Sequence, residues 1–304
     1  MSPKDELERV ARERMLIIDG AMGTMIQQHR LQEEDFRDER LKDHPIDLKG
    51  NNEMLNITQP HLIETIHTQY LQAGADIIET NTFGATSIAQ SEYGLGDRVV
   101  EMNERAAEIA SEAVRKHQEK TGKRCWVAGA IGPTNVTLSA SSDVEDSAAR
   151  AATWDEVYHA YLEQLLALID GGCDLILIET IFDVLNAKAA IKATLDAFEM
   201  KQVELPIIIS VTFIQEEGDR TVFGQSVEAF WTTVKHAQPF SVGINCGLGA
   251  TGLRSKLSTL ANICDTRTHI YPNAGLPNPL SPSGFDETPH ITACLLYTSP
   301  SPRD

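Results

Sequence analysis

The chain predicts an α/β fold, a (β/α)8 TIM-type barrel lacking its last βα unit. Three observations carry this. Apolar strand-like runs alternate with helical segments along nearly all of the 304 residues. The runs are continuous rather than alternating, as in parallel strands covered on both faces. One unit also repeats: residues 73–80 and 171–180 each place glycine shortly before Asp, then an apolar run, then Glu-Thr. Repeated βα units favour a barrel over an open sheet. No Gly-x-Gly-x-x-Gly turn follows the first strand, which weakens a dinucleotide-binding alternative.

The elements follow in order. Residues 6–14 are charged and helix-prone, with Leu7, Val10 and Ala11 at helical spacing, and read as an N-terminal cap on the fold. Residues 15–18 are four apolar side chains before the Asp19-Gly20 turn, a first strand. Residues 32–56 show no period and read as a long loop. Thr58 is placed to cap a helix with Pro60 in its first turn, an apolar face of Leu62, Ile63, Ile66, Tyr70 and Leu71, and Gly74 at its end.

The second strand is 76–83 and a helix spans 99–118. The third strand, 125–133, ends in Gly132, Pro133, Thr134 and Asn135. After a polar loop over 139–152, Thr153 and Glu156 form a capping box, and Gly171-Gly172 stops that helix. Strand 174–180, helix 184–198, strand 206–213 and helix 226–237 come next. Residues 241–246 are the sixth strand, 253–264 a helix and 269–277 a short seventh strand. The count is about one βα unit short of eight.

Composition narrows the function classes. The formal charge of -18 argues against nucleic acid or an anionic membrane as partner. The five cysteines, Cys125, Cys173, Cys246, Cys264 and Cys294, are few, scattered and odd in number. They do not make a disulfide framework, and a reducing, cytoplasmic setting follows. The charged first residues are no secretory signal, and no run is apolar enough to span a membrane.

In such a barrel the working residues sit at the carboxyl ends of the strands. Those ends carry Asp19, Glu79, Asn81, Thr134, Asn135, Glu179, Asn245, Cys246 and Asn273. The stretch 241–249 delivers one thiol, Cys246, to the mouth of a glycine-rich loop, where a thiolate serves as nucleophile or metal ligand. Structural alternatives stand beside each. A cysteine usually packs. Asp19 before glycine is a turn former. Glu79 and Glu179 are carboxylates that a core Arg or Lys would hold. Asn135 and Asn273 sit beside Pro and Gly as turn makers. The nine histidines show no ligand spacing.

Seven motifs carry a resemblance. Asp-Gly-Ala-Met-Gly-Thr (19–24), Leu-Lys-Gly-Asn-Asn (48–52), Ala-Gly-Ala-Asp-Ile-Ile-Glu-Thr-Asn-Thr-Phe (73–83) and Gly-Pro-Thr-Asn (132–135) are the first four. Leu-Ile-Glu-Thr-Ile-Phe-Asp (177–183), Asn-Cys-Gly-Leu-Gly (245–249) and Pro-Asn-Ala-Gly-Leu-Pro-Asn (272–278) complete them. Together they resemble the N-terminal homocysteine-binding module of cobalamin-dependent methionine synthases, over about residues 15–289. Betaine– and S-methylmethionine–homocysteine methyltransferases are in the wider family. The 48–52 loop and the 272–277 stretch favour the cobalamin-dependent branch.

The resemblance implies a barrel domain over 1–293 that binds homocysteine and transfers a methyl group from methylcobalamin to its thiol, giving methionine. It implies a catalytic zinc held by three cysteines, of which Cys246 matches the first. It implies that Asp19 and Glu179 hold the amino end of homocysteine and that the N–H groups of Gly20, Ala21 and Met22 hold its carboxylate. Ala21 stands where the family often has glycine. Folate- and cobalamin-binding modules would be partners in a longer chain. The Cys-Cys pair of the family is missing, and Cys264, in a helix, and Cys294, in a tail, are no substitutes. Residues 294–304 read as an in-frame translation of sequencing-adapter DNA rather than as a domain. With one expected thiolate where a catalytic zinc needs three ligands, the fragment is expected to be inactive. A non-catalytic thiol amino-acid binding domain is the alternative of another class. An unrelated zinc hydrolase barrel is disfavoured by the lack of a His cluster.

Overall fold

The computed structural model describes residues 3–143, 145–215, 218–275, 278, 280–281 and 284–297. The strands are β1 Ile77–Glu79, β2 Trp126–Ile131, β3 Leu175–Ile181, β4 Ile207–Val211, β5 Ser241–Gly249 and β6 Arg267–Asn273. The longer helices are α1 Pro3–Glu13, α2 Pro60–Ala73, α3 Val99–Thr121, α4 Trp154–Asp170, α5 Val184–Lys201, α6 Val227–Val234, α7 Ala250–Ile263 and α8 Pro289–Tyr297. The strands follow chain order in one sheet. Six parallel strands with helices between them are an incomplete α/β barrel, as the sequence predicts.

Two compact units divide the chain: residues 1–136, 152–177 and 192–206, and residues 137–151, 178–191 and 207–304. In the first, β1 pairs with β2 in register Ile77↔Trp126, and α3 packs on α2 and α4. Met54, Leu55, Ile63, Ile66, Leu95 and Met102 are fully or almost fully buried there. α4 begins on the predicted capping box, with Thr153 and Glu156 each satisfying the other's backbone N–H. In the second, β4 pairs with β5 from Ile208↔Ser241, and β5 with β6 from Ser241↔Arg267. Gly243 lets β6 come close: a Cβ there would lie 2.2 Å from the His269 carbonyl oxygen.

The repeated Gly-x-Asp has a structural cause. The Asp76 carboxylate accepts the Ile17 N–H at 3.0 Å and both Arg14 guanidinium nitrogens at 2.7 and 2.8 Å. Asp174 accepts the Val127 N–H at 3.0 Å and Arg124 at 3.0 Å. Each Asp thus fastens a neighbouring extended segment to the strand it opens.

Four expectations are corrected. Residues 15–18 form only one bridge, Ile18↔Ile77, because their extended stretch meets β1 over a single pair. Thr58 does not cap α2: it closes a preceding helical turn, Leu55–Thr58, with its hydroxyl on the Met54 carbonyl. The loop over 32–56 contains two short turns of 3-10 helix, Glu33–Phe36 and Asn52–Met54. α8 carries helix through Tyr297, where no helical period was expected. It starts on Thr288, whose hydroxyl accepts the Ile291 N–H, with Pro289 in the first turn. The boundary drawn at 293/294 lies inside this helix, and residues 298–304 lie outside the described ones.

Candidate functional site

In the second unit the last three residues of β3 are Glu179, Thr180 and Ile181. Glu179 is only 7% exposed. Where a core Arg or Lys was the structural alternative, the Tyr271 hydroxyl donates to its Oε2 at 3.2 Å. Burial pushes the Glu179 carboxyl up to about 7, and the Tyr271 hydrogen bond only partly opposes this. Tyr271 is fixed in turn. Its ring stacks on His269 at 5.8 Å between centroids, and His269 Nδ1 is hydrogen-bonded with the Ser241 hydroxyl at 2.8 Å. Burial holds that imidazole neutral, its pKa lowered to about 3.

β5 leaves ordinary strand geometry after Asn245, where its register with β6 shifts. Cys246 is exposed and takes φ 55°, followed by Gly247 at φ 70°. A non-glycine residue in the left-handed region is uncommon and stores backbone strain. Gly247 is required here twice over, by its φ and because a Cβ would sit 2.2 Å from the Phe213 carbonyl oxygen. Gly247→Ala is expected to cost about 3 kcal/mol or more of unfolding free energy. Urea denaturation checks it; a loss under about 1 kcal/mol would mean that the backbone relaxes freely at this point.

The other thiols differ in kind. Cys173 is buried and its pKa is pushed up to about 12 by burial and then by Asp174. Cys125 is buried and raised for the same first reason. Cys264 follows α7 rather than lying in it, and donates to the Thr266 carbonyl. Cys294 is exposed on α8. Asp183 is committed to the fold, accepting the N–H groups of Leu138, Ser139 and Leu185. Asn273 ends β6 as the register partner of Gly249.

In the first unit, both Asp19 carboxylate oxygens accept the Glu79 N–H at 3.1 Å. This ties the Asp19-Gly20 turn to the end of β1. Gly20 faces open space, and Ala21 leads into the short helix Met22–Gln27. The Tyr70 phenol shares these surroundings: burial, then the Asp19 and Glu79 charges, push it up to about 12. Asn81 donates to the Asn52 carbonyl at 2.7 Å and accepts from Asn56 through its own carbonyl, so it holds the 48–52 loop. The Thr134 hydroxyl bonds to the Val136 carbonyl, a turn contact. Asn135 bonds to Glu92 at the surface.

The structure brings Glu179, Asn245 and Cys246 together in one unit and places Asp19 with Glu79 in the other. Sequence reasoning missed Tyr271, Thr180 and Tyr70. The repeated Glu-Thr marked Thr180 as part of a pattern; Tyr271 had only its place directly before Pro272-Asn273 as a signal. Among the described residues no group of three or more His, Cys, Asp or Glu side chains is placed to hold a metal ion. No helix among them is long and apolar enough to cross a membrane.

Residues 16–297 match the family model described as homocysteine S-methyltransferase. Among solved structures, the chain is similar to the metallated form of the homocysteine methyltransferase MmuM from Escherichia coli. That match has TM-score 0.73 and 20% identity, and it covers 96% of this chain and 99% of that one. The oxidized form matches with TM-score 0.71 at 20% identity, over 90% and 87%. At that identity the likeness is one of fold.

Proposed function

Because the chain belongs to the homocysteine S-methyltransferase family, we propose that it binds homocysteine at the ends of β3 and β5 and directs its thiol sulfur at a donor methyl group. The observation that carries this beyond the family is Glu179: a buried carboxylate at a strand's end, held by a tyrosine hydroxyl instead of a fixed cation. Such a group is poised to take a cation from outside. The ammonium of homocysteine supplies one, and its arrival favours the ionised carboxylate, so binding releases a proton below about pH 7. Sulfur then attacks the methyl carbon, the S–CH3 bond forms, the donor leaves with its electron pair, and the thiol proton passes to solvent.

Zinc is the group the resemblance implies for activating that thiol. A catalytic zinc site needs three protein ligands, and the described residues offer Cys246 without two companions. They do not fit the metal, and no step is routed through it. The Asp19 turn stands as a separate proposal for the amino acid's polar ends; its carboxylate already serves β1.

The donor is the finer question. The family match fits a homocysteine methyltransferase of the betaine or S-methylmethionine type better than the methylcobalamin reading, for which the folate and cobalamin modules find no support in the comparisons. Incubation of the protein with homocysteine and each of S-methylmethionine, betaine and methylcobalamin, with methionine followed by mass spectrometry, tests both levels. Methionine from an onium donor would support the methyltransferase reading and overturn the inactivity expected from the missing thiolates. Homocysteine binding without methionine from any donor would favour the non-catalytic binding reading, and no binding at all would sink the proposal.

A further inference from the structure

Asn245 does more than line the strand ends. Its side-chain Oδ1 accepts the Thr180 N–H at 3.0 Å, and its Nδ2 donates to Thr180 Oγ1 at 2.7 Å. Both polar ends of the amide are therefore spent on one residue of a strand 65 positions away. Thr180 is held at φ 56°, a conformation that is an outlier for a β-branched residue. The residue after Asn245 is Cys246, at φ 55°. The residue before Thr180 is Glu179. One buried amide, 2% exposed, thus joins two strained backbone positions, each next to a proposed functional side chain. Strain of this kind persists only where the surroundings over-determine it. The cross-strand neighbour of Asn245 in the register is Tyr271, whose hydroxyl reaches Glu179. The register pair Asn245↔Tyr271 therefore grips Glu179 and Thr180 at two points.

We propose that Asn245 is a positioning residue: by clamping Thr180 in the left-handed conformation it fixes where Glu179 presents its carboxylate relative to Cys246. This rests on the proposed homocysteine site. Without the clamp Thr180 relaxes toward an extended φ, which turns the peptide between Glu179 and Thr180 and swings the carboxylate off its aim. Asn245→Asp keeps the clamp, since one carboxylate oxygen accepts the Thr180 N–H and the other accepts its hydroxyl proton.

The test uses the chain 1–304 as wild type, Asn245→Ala, Asn245→Asp, Glu179→Gln and the Asn245→Ala/Glu179→Gln double variant. Amide hydrogen exchange at Thr180 reports the clamp, and calorimetric titration with homocysteine at pH 8 reports positioning. Exchange at Thr180 is expected to rise about tenfold or more in Asn245→Ala and to stay near wild type in Asn245→Asp. Homocysteine affinity is expected to fall about tenfold in Asn245→Ala and to recover to within about threefold in Asn245→Asp. On the Glu179→Gln background, Asn245→Ala is expected to add nothing, because it acts through the carboxylate. Unchanged exchange at Thr180 overturns the clamp. Raised exchange with affinity within about twofold of wild type, or losses that add in the double variant, overturn the positioning role. If Asn245→Ala does not fold, Thr180→Val, which removes only the Oγ1 contact, takes its place under the same criteria. Wild-type protein that fails to bind homocysteine overturns the functional reading and this role with it, while the exchange data still decide whether the clamp exists.

Discussion

Glu179→Gln is expected to remove tight homocysteine binding and, at pH 8, to make the protein more stable. The two effects have one cause. Glu179 is nearly buried, and burial raises its pKa from 4.5 to about 7, with Tyr271 pulling weakly the other way. The folded state therefore holds this proton more tightly than the unfolded state does. The group's contribution to stability is full below about pH 4.5 and is lost as pH rises through about 7. At pH 8 the ionised carboxylate costs the fold on the order of 3 kcal/mol. Gln has the same shape and no charge, and its carbonyl oxygen still accepts the Tyr271 hydroxyl. Urea denaturation at pH 8 is expected to show a gain of about 2–3 kcal/mol, shrinking toward zero near pH 5. Homocysteine affinity is expected to fall about 100-fold, the loss of one charge-assisted contact in a desolvated site. In the wild type, affinity is expected to strengthen as pH rises through about 7, until the substrate's own amine titrates. Equal affinity of the two proteins would sink the ammonium-binding role. A Gln variant less stable at pH 8 would mark Glu179 as a fold-holding group instead.

The fold was legible because buried parallel strands are continuous apolar runs, and such runs can be counted. Six of the seven appear as strands. The seventh, 15–18, has the same apolar character but pairs over one residue, and pairing length depends on a neighbour that a local reading does not see. Strand ends were legible for the same reason, so the sequence alone places Glu179, Asn245 and Cys246 there. Their partners were not. Tyr271 reaches Glu179 across 92 positions and Asn245 reaches Thr180 across 65. Nor does a threonine announce a positive φ as glycine does; the strain at Thr180 is imposed by the clamp, not by its own preference. Asp19 shows how a local contact bears on such a role. The resemblance implies that it holds substrate, and its carboxylate accepts the Glu79 N–H, a contact that the turn-forming alternative also accounts for.

The chain 1–304 is expected to purify without stoichiometric zinc. All five cysteines lie among the described residues, and only Cys246 stands at the strand ends. Burial raises the thiols of Cys125 and Cys173, which disfavours the thiolate that a metal requires. Cys264 is likewise raised by burial and bonded to a local carbonyl. No group of three donors is assembled among the described residues. Tight zinc binding, about 10–16 kcal/mol in assembled sites, comes from the set and not from one member. A lone thiolate is expected to bind no tighter than the micromolar range, about 8 kcal/mol. Emission spectroscopy after dialysis is expected to find well under one zinc per chain, and a chelator to leave thermal stability unchanged. An appended βα unit of roughly 40 residues carrying the Cys-Cys pair that the resemblance implies would supply two further thiolates. That version is expected to bind one zinc per chain, and Cys246→Ser within it to lose the metal while circular dichroism stays native. One tightly held zinc on the chain 1–304 itself would show that donors other than these assemble a site. Retained zinc in the extended Cys246→Ser variant would remove Cys246 from the ligand set.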